Sequence, residues 1–239
     1  MATIEALVFW WRRQSTFWLM ALPIAGLAAG VAYALETRRE FMDWRQHWAW
    51  DFLFTVIYAM VLDRWIKEAL LEDALECDET DELRRSTVGP RFLIFAACFG
   101  LLGVLGGLCP FPELMVALGA SAAALIGLLL PSLAANQPLS LGQAYAVGRP
   151  VQVQLFLLVG GAMTISLFAG LGLSLAATGL PDKAWSPAAV AAAQRLIDCL
   201  LLAGVGYGLA RLFRDLTDWQ QPEPADHPLR GLRLATRRA

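Results

Sequence analysis

The chain has 239 residues, 57% of them hydrophobic and 17% charged, where a soluble domain of this size carries about a quarter charged residues. The charges are bunched between long apolar runs, which is the pattern of a polytopic membrane protein. A net charge of −2 supplies no global field to draw the chain to nucleic acid.

Residues 2–14 open the chain. Ile4, Leu7, Val8 and Trp11 recur at one-face helical spacing, and Arg12 and Arg13 follow. The spacing predicts a short helix in the membrane interface, with Trp10 and Trp11 at headgroup depth. A first span is expected over 17–35, uncharged, with Gly26 and Gly30 four apart as a close-packing face. A polar loop closes on Trp44, Trp48 and Trp50, whose rings prefer the interface because one edge is apolar and the indole N–H wants a partner. A second, short span is expected over 50–66. Its continuation through Glu68, Glu72, Asp73, Glu76, Asp81 and Glu82 reads as a water-exposed helical extension.

A third span is expected over 92–108, followed by a turn at Cys109-Pro110-Phe111-Pro112, since proline cannot continue a helix. A fourth, over 114–133, then forms an antiparallel hairpin with the third. Ser140 and Gln143 have capping-box spacing and predict a two-turn surface helix ended by Gly148-Arg149-Pro150. A fifth span over 151–177 and a sixth over 188–212 complete an all-α fold of six transmembrane helices plus short interfacial helices. Residues 1–213 form the membrane domain, and 214–239 a basic cytoplasmic tail.

Fourteen of the 19 Lys and Arg residues fall on the side that carries both termini, and four on the other. That excess assigns both ends to the cytoplasm. Arginine outnumbers lysine 17 to 2, a coding bias that points to a bacterial source and so to the inner membrane.

Chemistry-bearing motifs are absent from the sequence: there is no HExxH, GxSxG or Walker loop, so no enzyme is expected. Cys77, Cys98, Cys109 and Cys199 form no CxxC, and His47 and His227 both lie outside the spans. Neither a metal site nor a cofactor is expected. Inside the spans the polar candidates are Thr164, Ser166, Arg195 and Asp198. Arg195 and Asp198 stand one helical turn apart, and the simpler reading is a local pair satisfied by its own spacing. The tail arginines Arg230, Arg233, Arg237 and Arg238 are candidates for contact with anionic lipid or with the acidic run, as the tryptophans are for lipid or partner contact.

The stretch from Leu128 to Tyr145, with Pro131, Pro138, Leu139, Ser140, Leu141 and Ala144, followed by Gly148, resembles bacterial six-span proteins related to the membrane domain of glycerophosphodiester phosphodiesterase and to the Yip1-like group. The resemblance covers the middle third of the chain, and Tyr145 stands where those proteins usually carry Trp. It implies an α-helical inner-membrane protein and transfers no catalytic residue, because the soluble phosphodiesterase domain is missing. The expected function is a non-enzymatic scaffold or accessory subunit of a larger membrane assembly, whose partners are the bilayer and other membrane subunits. The alternative is a small-solute or lipid transporter with Thr164, Ser166, Arg195 and Asp198 along its path.

Overall fold

The structure is a computed structural model that describes residues 2–37, 44–72, 78–86, 88–94, 112–179, 185–217 and 219. All regular structure among them is helical. Three helical runs are long and apolar enough to cross a bilayer: Gln14–Thr37, Leu141–Thr178 and Trp185–Leu216. Most of the expected third span lies outside the described residues, with only 90–94 seen as helix.

Helix α1 (Ala2–Arg12) turns at Arg13 into α2 (Gln14–Thr37). Helix α1 packs on the protein through a face other than the one expected to meet the membrane interface. Phe9 is buried between Trp65 and Tyr207, with ring centroids at 5.8 and 4.9 Å, while Val8 and Trp11 point outward. In α2, Phe17, Ala21, Ile24, Ala25 and Ala28 form one buried stripe at helical spacing. Gly26 and Gly30 lie off that stripe, and a Cβ on either would meet nothing within 4 Å. They do not form a packing face within the described chain.

Helix α3 (Trp44–Leu70) corrects the first part of the expected water-exposed extension. Its last turns are buried, whereas Glu82 and Arg85 farther on are exposed and 73–77 lie outside the described residues. Asp63, Lys67 and Glu68 are buried, and so are Trp65, Ile66, Leu70 and Leu71 around them. The physical reason is pairing: each buried charge finds an opposite one on its own helix or on a neighbour, so the segment can leave water. Helix α4 (Asp78–Arg85) caps this region by burying Thr80 and Leu83.

The expected span 114–133 is bent in two, into α5 (Pro112–Ile126) and α6 (Leu129–Ala134). Gly127 N–H still reaches the Ala123 carbonyl at 2.7 Å, but Leu130 N–H falls back to the Gly127 carbonyl at 3.3 Å, a tighter turn. Helix α6 is buried at every residue except Leu133. Asn136, with φ 55°, then reverses the chain.

Helix α7 (Leu141–Gly148) starts on the expected capping box: Gln143 N–H donates to Ser140 Oγ at 3.3 Å, and Ser140 N–H to Gln143 Oε1 at 2.9 Å. Gly148-Arg149-Pro150 does not end it. The backbone stays in the right-handed helical region at Gly148 and Arg149, and a single 3-10 turn (Arg149–Val151) leads into α8 (Gln152–Thr178). Proline is tolerated there because its missing N–H falls in the first turn of the next helix. Helix α9 (Trp185–Leu216) runs past the expected boundary at 213, and Trp219 beyond it packs in the core.

Side-chain register fixes the directions. Tyr58 meets Arg195 and Asp198, and Trp65 lies against Gly206, so α3 and α9 run parallel. Leu158 faces Gly208 while Ser166 faces Asp198, so α8 runs against α9. Ala120 meets Gly160 and Leu128 meets Gly148, so α5 runs against α8. One end of the bundle therefore gathers α1, the Arg13 turn, the charged half of α3, α4, α6 and the last turns of α9.

Candidate functional site

The polar centre of the bundle is built on α9. Gln194, Arg195 and Asp198 occupy positions that point one carboxylate, one guanidinium and one amide toward the α3–α8 side. Helix α3 contributes Phe54 and Tyr58, four residues apart on one face, and α8 contributes Ser166.

Asp198 is the hub. Tyr58 donates its hydroxyl to Oδ2 at 2.7 Å, and Ser166 donates to Oδ1 at 2.6 Å. The Gln194 amide donates to Oδ1 at 3.0 Å and also to the Ser166 backbone carbonyl at 3.1 Å. Arg195 reaches Oδ2 at 3.4 Å and the Tyr58 hydroxyl at 3.0 Å. The Arg195 guanidinium lies 4.5 Å from the Phe54 ring centroid and 5.5 Å from that of Tyr58. Gly170 leaves room for Gln194, since a Cβ there would stand 3.2 Å from Oε1.

This is more than the local pair that spacing suggested. A carboxylate in an apolar helix is tolerated only when hydrogen bonds and an opposite charge satisfy it. Here the donors come from three helices, and the side chains of Asp198 and Arg195 are 12% and 27% exposed. The carboxylate is met by hydroxyl, amide and guanidinium donors, which together satisfy both of its oxygens. Among the described residues no three His, Cys, Asp or Glu side chains gather where they could hold a metal ion.

A second cluster stands at the charged end. Glu68, with a side chain 2% exposed, meets Arg64 at 2.7 Å, Arg13 at 3.5 Å and Arg84 at 3.7 Å. Beside it Lys67 pairs with Asp63 at 2.7 Å and donates to the Ser86 carbonyl at 3.0 Å. The Arg64 guanidinium also donates to the Arg84 carbonyl at 2.5 Å. These contacts tie the α1–α2 turn, α3 and α4 into one corner.

Of the intramembrane candidates, Ser166, Arg195 and Asp198 come together. Thr164 does not join them; its hydroxyl donates to the Gly160 carbonyl of its own helix at 2.7 Å. Trp10 packs on Phe17 at 5.6 Å, Trp11 is exposed, and Trp50 is half-buried. The side chains of Trp44 and Trp48, and the tail residues Arg230, Arg233, Arg237 and Arg238, lie outside the described residues. Sequence reasoning did not find Phe54, Tyr58 or the Glu68 cluster. Gln194 had a signal, an amide four residues before an acid in an apolar helix.

No family model matches the chain, and neither a curated protein nor a solved structure matches it.

Proposed function

We propose that the chain is a six-span protein of the bacterial inner membrane, with both termini cytoplasmic, that acts as a non-enzymatic scaffold or accessory subunit of a larger membrane assembly. The observation that carries this reading is how little of its apolar helices the chain covers. Only 11% of the apolar window in Leu141–Thr178 is buried, with Val153, Leu157, Phe168 and Leu175 all more than 60% exposed. Such a surface needs lipid or other helices against it. Gly26 and Gly30 add an outward face where a partner backbone can approach, whereas Gly119, Gly160, Gly206 and Gly208 are each filled by a neighbour within the chain. The likeness of the Pro131–Gly148 stretch to the six-span phosphodiesterase-membrane-domain and Yip1-like proteins belongs to the same reading.

Affinity purification from native membranes in mild detergent tests it. A membrane protein recovered in fixed ratio, and lost from a Gly26→Leu/Gly30→Leu variant that still folds, is the expected result. A lone monomer from wild-type membranes overturns it. Tags on each terminus, probed from outside intact cells, test the orientation: both stay protected.

A second reading, a small-solute or lipid transporter, is favoured by the Asp198 network alone. In that case a cysteine at Ser166 reacts with a membrane-impermeant thiol reagent, and Asp198→Asn changes the reaction rate. A cysteine that stays unreactive in folded protein rejects it.

A further inference from the structure

We propose that the corner formed by Arg13, Arg64 and Arg84 binds the phosphodiester of an anionic phospholipid. The inference rests on α2 being a membrane span and goes beyond it by naming a ligand class and its residues.

Three guanidiniums converge on one buried carboxylate, Glu68. Among the described residues Asp81, itself half-exposed, also pairs with Arg84, and it serves Arg85 as well. Asp63 is already matched by Lys67. Among the described residues, the innermost shell therefore carries more positive than negative charge. The arginines keep an open side as well, for the side chains of Arg13, Arg64 and Arg84 are 32%, 34% and 25% exposed.

The second observation is how loosely two of those pairs close: Arg13 stands 3.5 Å from Glu68 Oε2 and Arg84 Nε 3.7 Å from Oε1, so neither contact is a hydrogen bond of ordinary length. One carboxylate does not saturate the donors of three guanidiniums, and a phosphate oxyanion answers that surplus with the planar fork geometry that arginine recognises.

Depth selects the source. Arg13 immediately precedes Gln14, where the uncharged run of α2 starts, so the corner stands where hydrocarbon gives way to headgroups. A phosphate held there is one that a lipid brings. Free inorganic phosphate offers the same oxyanion, and the experiment has to tell them apart.

The full chain is purified in detergent, stripped of native lipid, and offered phosphatidylglycerol, phosphatidylcholine or inorganic phosphate, with bound adducts read by native mass spectrometry. Phosphatidylglycerol is expected to be retained over phosphatidylcholine, and Arg13→Gln and Arg84→Gln each to lower that retention about tenfold. Arg149→Gln, an exposed arginine at the same end, is expected to leave it unchanged. Arg84→Lys, which keeps the charge and loses the fork, is expected to fall between. If the Gln variants fail to fold, the wild-type preference alone decides. Equal retention of the two lipids, or full retention in folded Arg13→Gln and Arg84→Gln, overturns the proposal. So does displacement of the lipid by inorganic phosphate alone. Release of the chain from membranes by alkaline carbonate would instead sink the spanning reading on which the site rests, and that result is distinct from a lost lipid preference.

Discussion

Replacing Asp198 by alanine should be among the most damaging single changes in this chain. The carboxylate receives hydrogen bonds from Tyr58, Ser166 and Gln194 and faces Arg195 at 3.4 Å. Its removal leaves a guanidinium, two hydroxyls and an amide without their common acceptor. Breaking a buried ion pair from one side costs about 3–5 kcal/mol, because the remaining charge is stranded. Hydrogen bonds between membrane helices average only about 0.6 kcal/mol, since the unfolded chain in lipid finds other partners. The formal charges place Asp198→Ala toward the larger figure, because the Arg195 guanidinium keeps the Tyr58 hydroxyl and the Phe54 ring but loses the opposite charge of the carboxylate. Arg195→Met combined with Asp198→Ala removes both charges and should cost less than Asp198→Ala alone. The assay is unfolding of purified protein in mild detergent, followed by tryptophan fluorescence. An Asp198→Ala variant within about 0.5 kcal/mol of wild type, or a double variant less stable than the single, would refute the reasoning.

Gly206→Leu should destabilise by the upper part of the about 1–3 kcal/mol range for overpacking, because its Cβ would stand 2.8 Å from Trp65 Cβ and 3.3 Å from the Ile66 backbone nitrogen. Gly26→Leu, with open space around it, should stay within about 0.5 kcal/mol in the same detergent melts. Phe9→Ala empties the slot between Trp65 and Tyr207 and should cost about 3–5 kcal/mol, with α1 becoming protease-sensitive before the rest of the chain. Ser140→Ala removes the cap of α7 and should cost about 1 kcal/mol, read as faster hydrogen exchange confined to its first turn.

The apolar helices were legible because hydropathy reports the solvent directly: the runs expected at 17–35 and 188–212 lie within α2 and α9, and that at 151–177 matches α8 to one residue. The charged half of α3 was not legible in this way. A run of acids and arginines reads as solvated unless its partners are known. Glu68 meets Arg13, in the α1–α2 turn, and Arg84, on α4, and of its three arginines Arg64 alone is local. The same holds for Tyr58, whose hydroxyl meets Asp198 across 140 residues of sequence. Small-residue spacing misled in a different way. Gly26 and Gly30 have the expected period but no occupant, while Gly206 has one. Period says which residues share a face. What stands opposite that face depends on helix order and direction, which are tertiary facts. The bend at Gly127 had no signature distinct from an ordinary glycine in a small-residue stripe.

Six residues are too few to hold a helix by themselves. Leu129–Ala134 borrows its shape from the α3 and α9 surfaces it lies against, and its one hydroxyl, Ser132 Oγ, stands in for a missing peptide carbonyl by accepting the Leu139 amide at 3.3 Å. The α5–α8 hairpin thus leans on the rest of the bundle at two places, directly along α9 through Leu158 and Ser166 and again through this short segment, whose helical form belongs to its neighbours.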